Sequence, residues 1–284
     1  MRPDAVIFDV DGVLVDVRSS FLAAVKRTVQ YLVVSETGMQ DDAPLVDDEL
    51  IATFKQAGGF NNDWDLACAL TLWYLESPRV GSTSELRRRA GDPWAAARVP
   101  LQARSARVPT PTHGDVKALM LELYWGSAEA VRLFGIRARL DARDPLLETE
   151  RVLLRRETVD ALRKLGIARF GVLTGRLRVE WDRVRHGIPL PRDVVVATDE
   201  DGRKPDPFVL RRIVERLEAS RPCYVGDVMD DWRLIAAYNR RFLDAPAIGV
   251  FVVTAPSDER AFRDAGATRF VRSVNDLPAT LDED

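Results

Sequence analysis

The sequence has few residues that cross-link a chain, bind soft metals or shuttle protons. Of 284 residues, two are cysteine and two are histidine. Cys68 and Cys223 each lie in an apolar stretch, and no CxxC or His/Cys metal spacing occurs. A disulfide framework and a thiolate metal centre are therefore excluded, and two buried thiols in a reducing compartment are expected. Neither His113 nor His186 sits in a motif, so no imidazole catalyst is expected. Long apolar runs are missing too: none nears the roughly 20 residues of a membrane span. Met1-Arg2-Pro3-Asp4 leads straight into a strand-like segment without a signal-like apolar region. A cytoplasmic protein with no membrane partner is the expectation. Nor is one sign of charge in excess. Lys and Arg number 41 against 44 Asp and Glu, the formal net charge is -3, and the arginines are scattered among acids. That leaves no basic footprint for nucleic acid.

What is present is a patterned globular chain, 46% hydrophobic and 30% charged, long enough to bury a substantial core. Ala5–Phe8 is a short apolar run that reads as a buried parallel strand. Similar runs recur at 170–173, 194–197, 223–225 and 248–253, with helix-like stretches at 150–165, 177–186, 207–218 and 231–240. This alternation predicts an α/β fold: a Rossmann-like parallel sheet with helices on both faces. Between them the rhythm breaks. Helical patterns at 19–34, 47–56, 63–75 and 116–134, with no convincing strand, predict a mostly helical domain inserted after the first strand. The boundaries expected are 1–16 and 146–284 for the core and 17–145 for the insert. Within the insert, 77–112 is rich in Pro, Arg, Gly and Ser and is expected to be a long loop.

In open α/β sheets the site lies at the carboxyl ends of the strands, and the chemically interesting residues fall there. After the first run comes Asp9-Val10-Asp11-Gly12. Carboxylates at i and i+2 of an extended chain point the same way, and Gly12 permits a sharp turn; an acidic loop is the alternative. After the second comes Thr174-Gly175-Arg176, suited to a phosphate cradle or to an ordinary helix cap. After the third comes Lys204 before Pro205, either a positioned ammonium or a solvated lysine. After the fourth comes Gly226-Asp227-Val228-Met229-Asp230-Asp231. Its oxygen ligands suit a hard cation, and its acids equally suit a helix N-terminus.

Together and in this order these segments resemble the motifs of the haloacid dehalogenase-like superfamily, in its branch with a helical type-1 cap. Asp9-Val10-Asp11-Gly12 is similar to motif I, Thr174 to motif II, Lys204 to motif III, and Gly226-Asp227 with Asp231 to motif IV. The resemblance covers roughly 1–16 and 150–275. It implies a phosphatase acting on a small phosphorylated metabolite through an aspartyl-phosphate, with Asp9 as nucleophile and Asp11 as general acid/base. It implies Mg²⁺ as cofactor, held by the Asp9 carboxylate, the Asp11 backbone carbonyl and Asp227, with Asp231 in support. Thr174 and the Gly175 N–H would hold phosphate, and Lys204 would pair with Asp9 and phosphate. Arg176 is expected either to reach a substrate oxygen or an acid of the insert, or to lie on the surface. In the insert, Asn61, Asn62 and Trp64 follow Gly58-Gly59-Phe60. They are expected to contact the leaving group; in the alternative, Asn62 or Asp63 caps the next helix and Trp64 packs in the core of the insert. Two alternatives share these motifs in whole or part: a phosphomutase of the same superfamily, and a non-catalytic phosphoacceptor or binding module. The oligomeric state stays open, a homodimer among the options.

Overall fold

The apolar runs become strands. In the computed structural model, which describes residues 2–60 and 62–282, β1 (Ala5–Phe8) is buried at all four positions. Next come β2 (Val15–Asp16), β3 (Arg151–Val152), β4 (Arg169–Leu173), β5 (Val195–Ala197), β6 (Pro222–Gly226), β7 (Ile248–Val252) and β8 (Phe270–Val271). Six of them form one sheet in the order β5-β4-β1-β6-β7-β8, all parallel. The α/β expectation holds. β8 was not foreseen, because two residues are too few to show a period. β2 and β3 form a separate antiparallel pair, Val15 opposite Val152 and Asp16 opposite Arg151.

Register decides where the site can be. Phe8 lies opposite Val172 of β4 and Val225 of β6. The carboxyl ends of these three strands are therefore level, and Asp9, Thr174 and Asp227 follow almost at once. The chain steps from β1 to one side for β4 and β5 and to the other for β6 to β8, so β1 stands at the topological switch point.

The chain divides into two compact units, residues 1–16 with 151–284 and residues 17–150. The second is helical: α1 (Phe21–Thr37), α2 (Asp48–Ala57), α3 (Asp63–Glu76), α4 (Thr83–Arg89), α5 (Pro93–Ala97), α6 (Leu101–Arg107), α7 (His113–Trp125) and α8 (Ser127–Phe134). α3 is buried continuously from Leu66 to Tyr74, as a helix enclosed on all sides must be, and α1 and α7 pack against it. Two expectations are corrected here. The segment 77–112 is not a loop but carries α4, α5 and α6. Ser82 caps α4 by accepting from the Glu85 N–H, and Asp92 caps α5 ahead of Pro93; these short-range signals are overshadowed by the Pro, Gly and Arg content. The helical run 116–134 is two helices. Gly126 separates them at φ +80°, a left-handed conformation that favours glycine.

The first unit adds α9 (Arg156–Lys164), α10 (Arg178–Val184), α11 (Pro207–Arg216), α12 (Met229–Arg241), α13 (Pro256–Asp264) and α14 (Leu277–Asp282). α9 begins later than expected because Arg151 and Val152 are spent on β3. Ala5 and Ile7 of β1 pack with Val209, Leu210 and Ile213 of α11 and Leu234 of α12. Val6 and Phe8, alternating to the opposite face, are equally buried, and Phe8 stacks on Phe170 at 6.4 Å. Both faces are thus covered, which is why these strands read as unbroken apolar runs. Cys68 and Cys223 are buried in different units. No helix among the described residues is long and apolar enough to cross a membrane.

Candidate active site

Asp9 is the first residue beyond β1. Its N–H donates to the Val225 carbonyl at 2.8 Å, continuing the β1–β6 ladder by one step. This fixes the backbone and leaves the side chain 6% exposed. One carboxylate oxygen, Oδ1, accepts from the Val10 N–H at 2.8 Å, and the other, Oδ2, meets Lys204 Nζ at 2.7 Å.

Lys204 is no surface lysine. Its side chain is 2% exposed, and its ammonium reaches three acceptors: Asp9 Oδ2, Asp231 Oδ1 at 2.8 Å and the Tyr224 hydroxyl at 3.4 Å. An ammonium has three N–H groups, so all three are engaged. Tyr224 in turn donates to Asp231 Oδ1 at 2.7 Å. The other oxygen of Asp231 accepts from the Asp227 and Val228 N–H groups at 3.0 and 3.1 Å, capping the start of α12.

One ammonium therefore serves two buried carboxylates, and this sets the electrostatics. Burial acts to lower the Lys204 pKa, but Asp231 and Asp9 outweigh it and hold the ammonium firmly protonated. Burial pushes the Asp9 carboxyl up, and the charges of Asp231 and Asp11 add to that. Lys204 opposes them, and the balance lies at about 7. Burial, then Asp231, push the Tyr224 phenol well above its ordinary value, so it remains a donor.

Two glycines make room for the acids. A Cβ on Gly12, at φ +77°, would stand 2.0 Å from Asp227 Oδ2, and one on Gly226 would stand 2.4 Å from Asp231 Cγ. Asp9, Asp227 and Asp231 each bring a carboxylate oxygen to within 4.8 Å of the other two. An all-oxygen cluster of this kind fits a hard divalent cation. Asp231 already accepts four hydrogen bonds, so it fits a supporting position better than a direct one. Asp230, 4% exposed, pairs with Arg233 one helical turn on at 2.9 Å, a contact within α12.

On the β4 side, Thr174 is buried and its Oγ1 accepts from the Arg176 N–H at 3.1 Å, shaping the turn through the half-buried Gly175. Arg176 lies inside the protein with 1% exposure, so the surface reading is overturned. Its Nε and Nη2 both reach Asp11 Oδ1, at 2.8 and 2.7 Å. The Asp11 side chain is thereby turned to Arg176 and is not one of the three clustered carboxylates.

In the helical unit, Asn61 lies outside the described residues. Asn62 caps α3, its Oδ1 accepting from the Trp64 N–H at 2.8 Å, and Trp64 is buried with Lys117 Nζ 3.8 Å from the ring centroid. Capping and packing are the roles the geometry displays for these two side chains. Sequence reasoning missed Tyr224 and the Arg176–Asp11 pair. A tyrosine inside an aliphatic strand needs a partner for its hydroxyl, and that signal was available. Arg176 and Asp11 are 165 positions apart, and no local pattern couples them.

A family model described as haloacid dehalogenase-like hydrolase matches residues 3–237. No curated protein matches the sequence. Among solved structures, phosphatase Tt82 from Thermococcus thioreducens superposes with a TM-score of 0.64 at 23% identity, over 98% of this chain and 99% of that one. CbbY from Rhodobacter sphaeroides, solved in complex with phosphate, gives 0.53 at 19% identity, over 99% and 100%. At these identities the likeness is one of fold.

Proposed function

We propose that this chain, which belongs to the haloacid dehalogenase-like hydrolase family, hydrolyses a small phosphate monoester through a phosphoryl group carried on Asp9. The observation that carries this reading is the setting of Asp9. It is a buried carboxylate at the end of the central strand, held by Lys204 at 2.7 Å, with Asp227 and Asp231 clustered beside it. A carboxylate so held is a nucleophile of fixed direction. Lys204 keeps it from being isolated in a low-dielectric site, where an unpaired charge would take up a proton.

Asp9 attacks phosphorus and Asp11 gives a proton to the departing alcohol oxygen. Asp11 then takes a proton from the water that releases phosphate from Asp9. Thr174 and the Gly175 N–H bind the phosphoryl oxygens. The Asp9 and Asp227 carboxylates and the Asp11 main-chain carbonyl would hold Mg²⁺, with Asp231 behind them. When bound, the ion supplies charge neutralisation for the incoming phosphate and the carboxylate. The helical insert is assigned the choice of substrate.

The test is phosphate release from p-nitrophenyl phosphate and a panel of phosphorylated metabolites, with and without Mg²⁺, by wild type and Asp9→Asn. Release that requires Mg²⁺ and disappears in the variant supports the reading. A folded wild type that releases no phosphate from any of them refutes it.

A further inference from the structure

We propose that Arg176 is the positioning residue for Asp11, fixing which oxygen of that carboxyl exchanges the proton with the leaving group. The inference rests on the phosphohydrolase reading and gives Arg176 a role other than binding substrate.

Three observations carry it. First, the Arg176 side chain is 1% exposed. A guanidinium does not deprotonate in a protein, so at that depth it needs a carboxylate, and Asp11 supplies one. Second, the backbone of Arg176 is tied at both ends. Its N–H donates to Thr174 Oγ1 at 3.1 Å and its carbonyl accepts from the Asp199 N–H at 3.0 Å. The turn expected to cradle phosphate therefore also aims the guanidinium. Third, Nε and Nη2 converge on the same oxygen, Asp11 Oδ1, at 2.8 and 2.7 Å. Arginine often meets a carboxylate fork to fork, with one N–H on each oxygen. That arrangement would occupy both oxygens and suit a structural ion pair. Here the two bonds load Oδ1 and leave Oδ2 to carry the proton, and the Asp11 side chain is 26% exposed where Arg176 is enclosed.

The consequence is a donor of fixed direction. In the first half-reaction the Oδ2–H bond breaks and the proton passes to the ester oxygen as its bond to phosphorus breaks. The bonding pair of P–O stays on the leaving alcohol, and the charge left on Asp11 lies against the guanidinium. In the second, Oδ2 takes a proton from water as the water oxygen bonds to phosphorus and the Asp9 carboxylate departs. Arg176 touches neither substrate nor water in this scheme; it acts through Asp11.

Leaving groups separate this role from substrate binding. p-Nitrophenolate departs without a proton, whereas the alkoxide of glycerol 3-phosphate does not. The kcat/KM of each ester reports only steps up to alcohol release, so the second half-reaction does not enter. Arg176→Met is expected to lose about 30-fold on glycerol 3-phosphate, a part of the roughly 10²–10⁴ that a positioned acid contributes in full. On p-nitrophenyl phosphate it should lose less than about threefold, since that ester needs no acid. Arg176→Lys keeps the charge but not the two-point grip, and is expected to show a smaller loss with the same selectivity. In an Asp11→Asn background, Arg176→Met should cost nothing further on either ester. Equal losses on both esters, or a full additional loss in the Asp11→Asn background, would overturn the inference while leaving the phosphohydrolase reading intact. Should Arg176→Met fail to fold, as judged by circular dichroism, the selectivity of Arg176→Lys decides the matter. A wild type inactive on every ester of the panel would overturn the two readings together.

Discussion

Asp231 and Glu122 are both carboxylates with no measurable exposure, and both accept from two backbone N–H groups. They differ in what occupies the rest of their capacity. Glu122, in the helical unit, also accepts from the Ser127 hydroxyl, and together these bonds tie residues 139–140 to α7 and α8. Asp231, in the sheet unit, also takes the ammonium of Lys204 and the phenol of Tyr224. One buried carboxyl group holds chain in place. The other is spent on holding a second charge, which in turn holds Asp9. Burial alone therefore does not tell the two acids apart; the cation among the partners of Asp231, and the further acid held by that cation, do.

Asp9→Asn removes the proposed nucleophile and is expected to cut kcat by at least about 10⁴-fold in phosphate-release assays, with the thermal midpoint unchanged or raised. Glu122→Ala is the counterpart. It strands two buried N–H groups and is expected to cost about 3 kcal/mol in urea unfolding, while the folded fraction keeps wild-type kcat. A comparable loss of kcat in folded Glu122→Ala would erase the distinction drawn here.

As the proposed nucleophile Asp9 must be ionised to attack, and burial beside other acids pushes its carboxyl up to about 7. At limiting Mg²⁺, kcat/KM should therefore rise as pH passes upward through about 7. Asp231→Asn removes a charge that favours the protonated form and leaves Lys204 to Asp9 alone, so the rise should move to lower pH. An unmoved limb would mean that Asp231 does not act on Asp9. Smallest is Asn62→Ala, which deletes the cap of α3 and should cost about 1 kcal/mol of stability with kinetics unchanged. A raised KM instead would return Asn62 to substrate binding.

The same contrast explains what the sequence made legible. Strands buried on both faces must be apolar throughout, so β1, β4, β6 and β7 stand out. The residues just past them are level in space because parallel register makes them so. Asp9, Thr174, Lys204, Asp227 and Asp231 could thus be collected from one dimension. The helical unit offers no such rule. α5 and α6 bury little more than Ala96, Ala97 and the enclosed Arg104, so their helical period is faint and 77–112 reads as loop. Arg104 is buried because Glu76 and the Ala96 carbonyl receive it, and Glu76 lies 28 positions away, outside any local window.

Where the chain leaves the sheet unit and where it comes back are hydrogen-bonded neighbours, Val15 with Val152 and Asp16 with Arg151. That two-residue ladder is a socket. Closing a loop costs entropy that grows only with the logarithm of its length, and here the ladder fixes the two ends whatever lies between them. A hairpin turn, a long excursion or an entire helical unit can be spliced at the same point without re-registering a single strand. Asp16 and Arg151 are therefore the points at which an engineer would join a new segment, because the ladders of β1 with β4 and β6 involve no residue between the two.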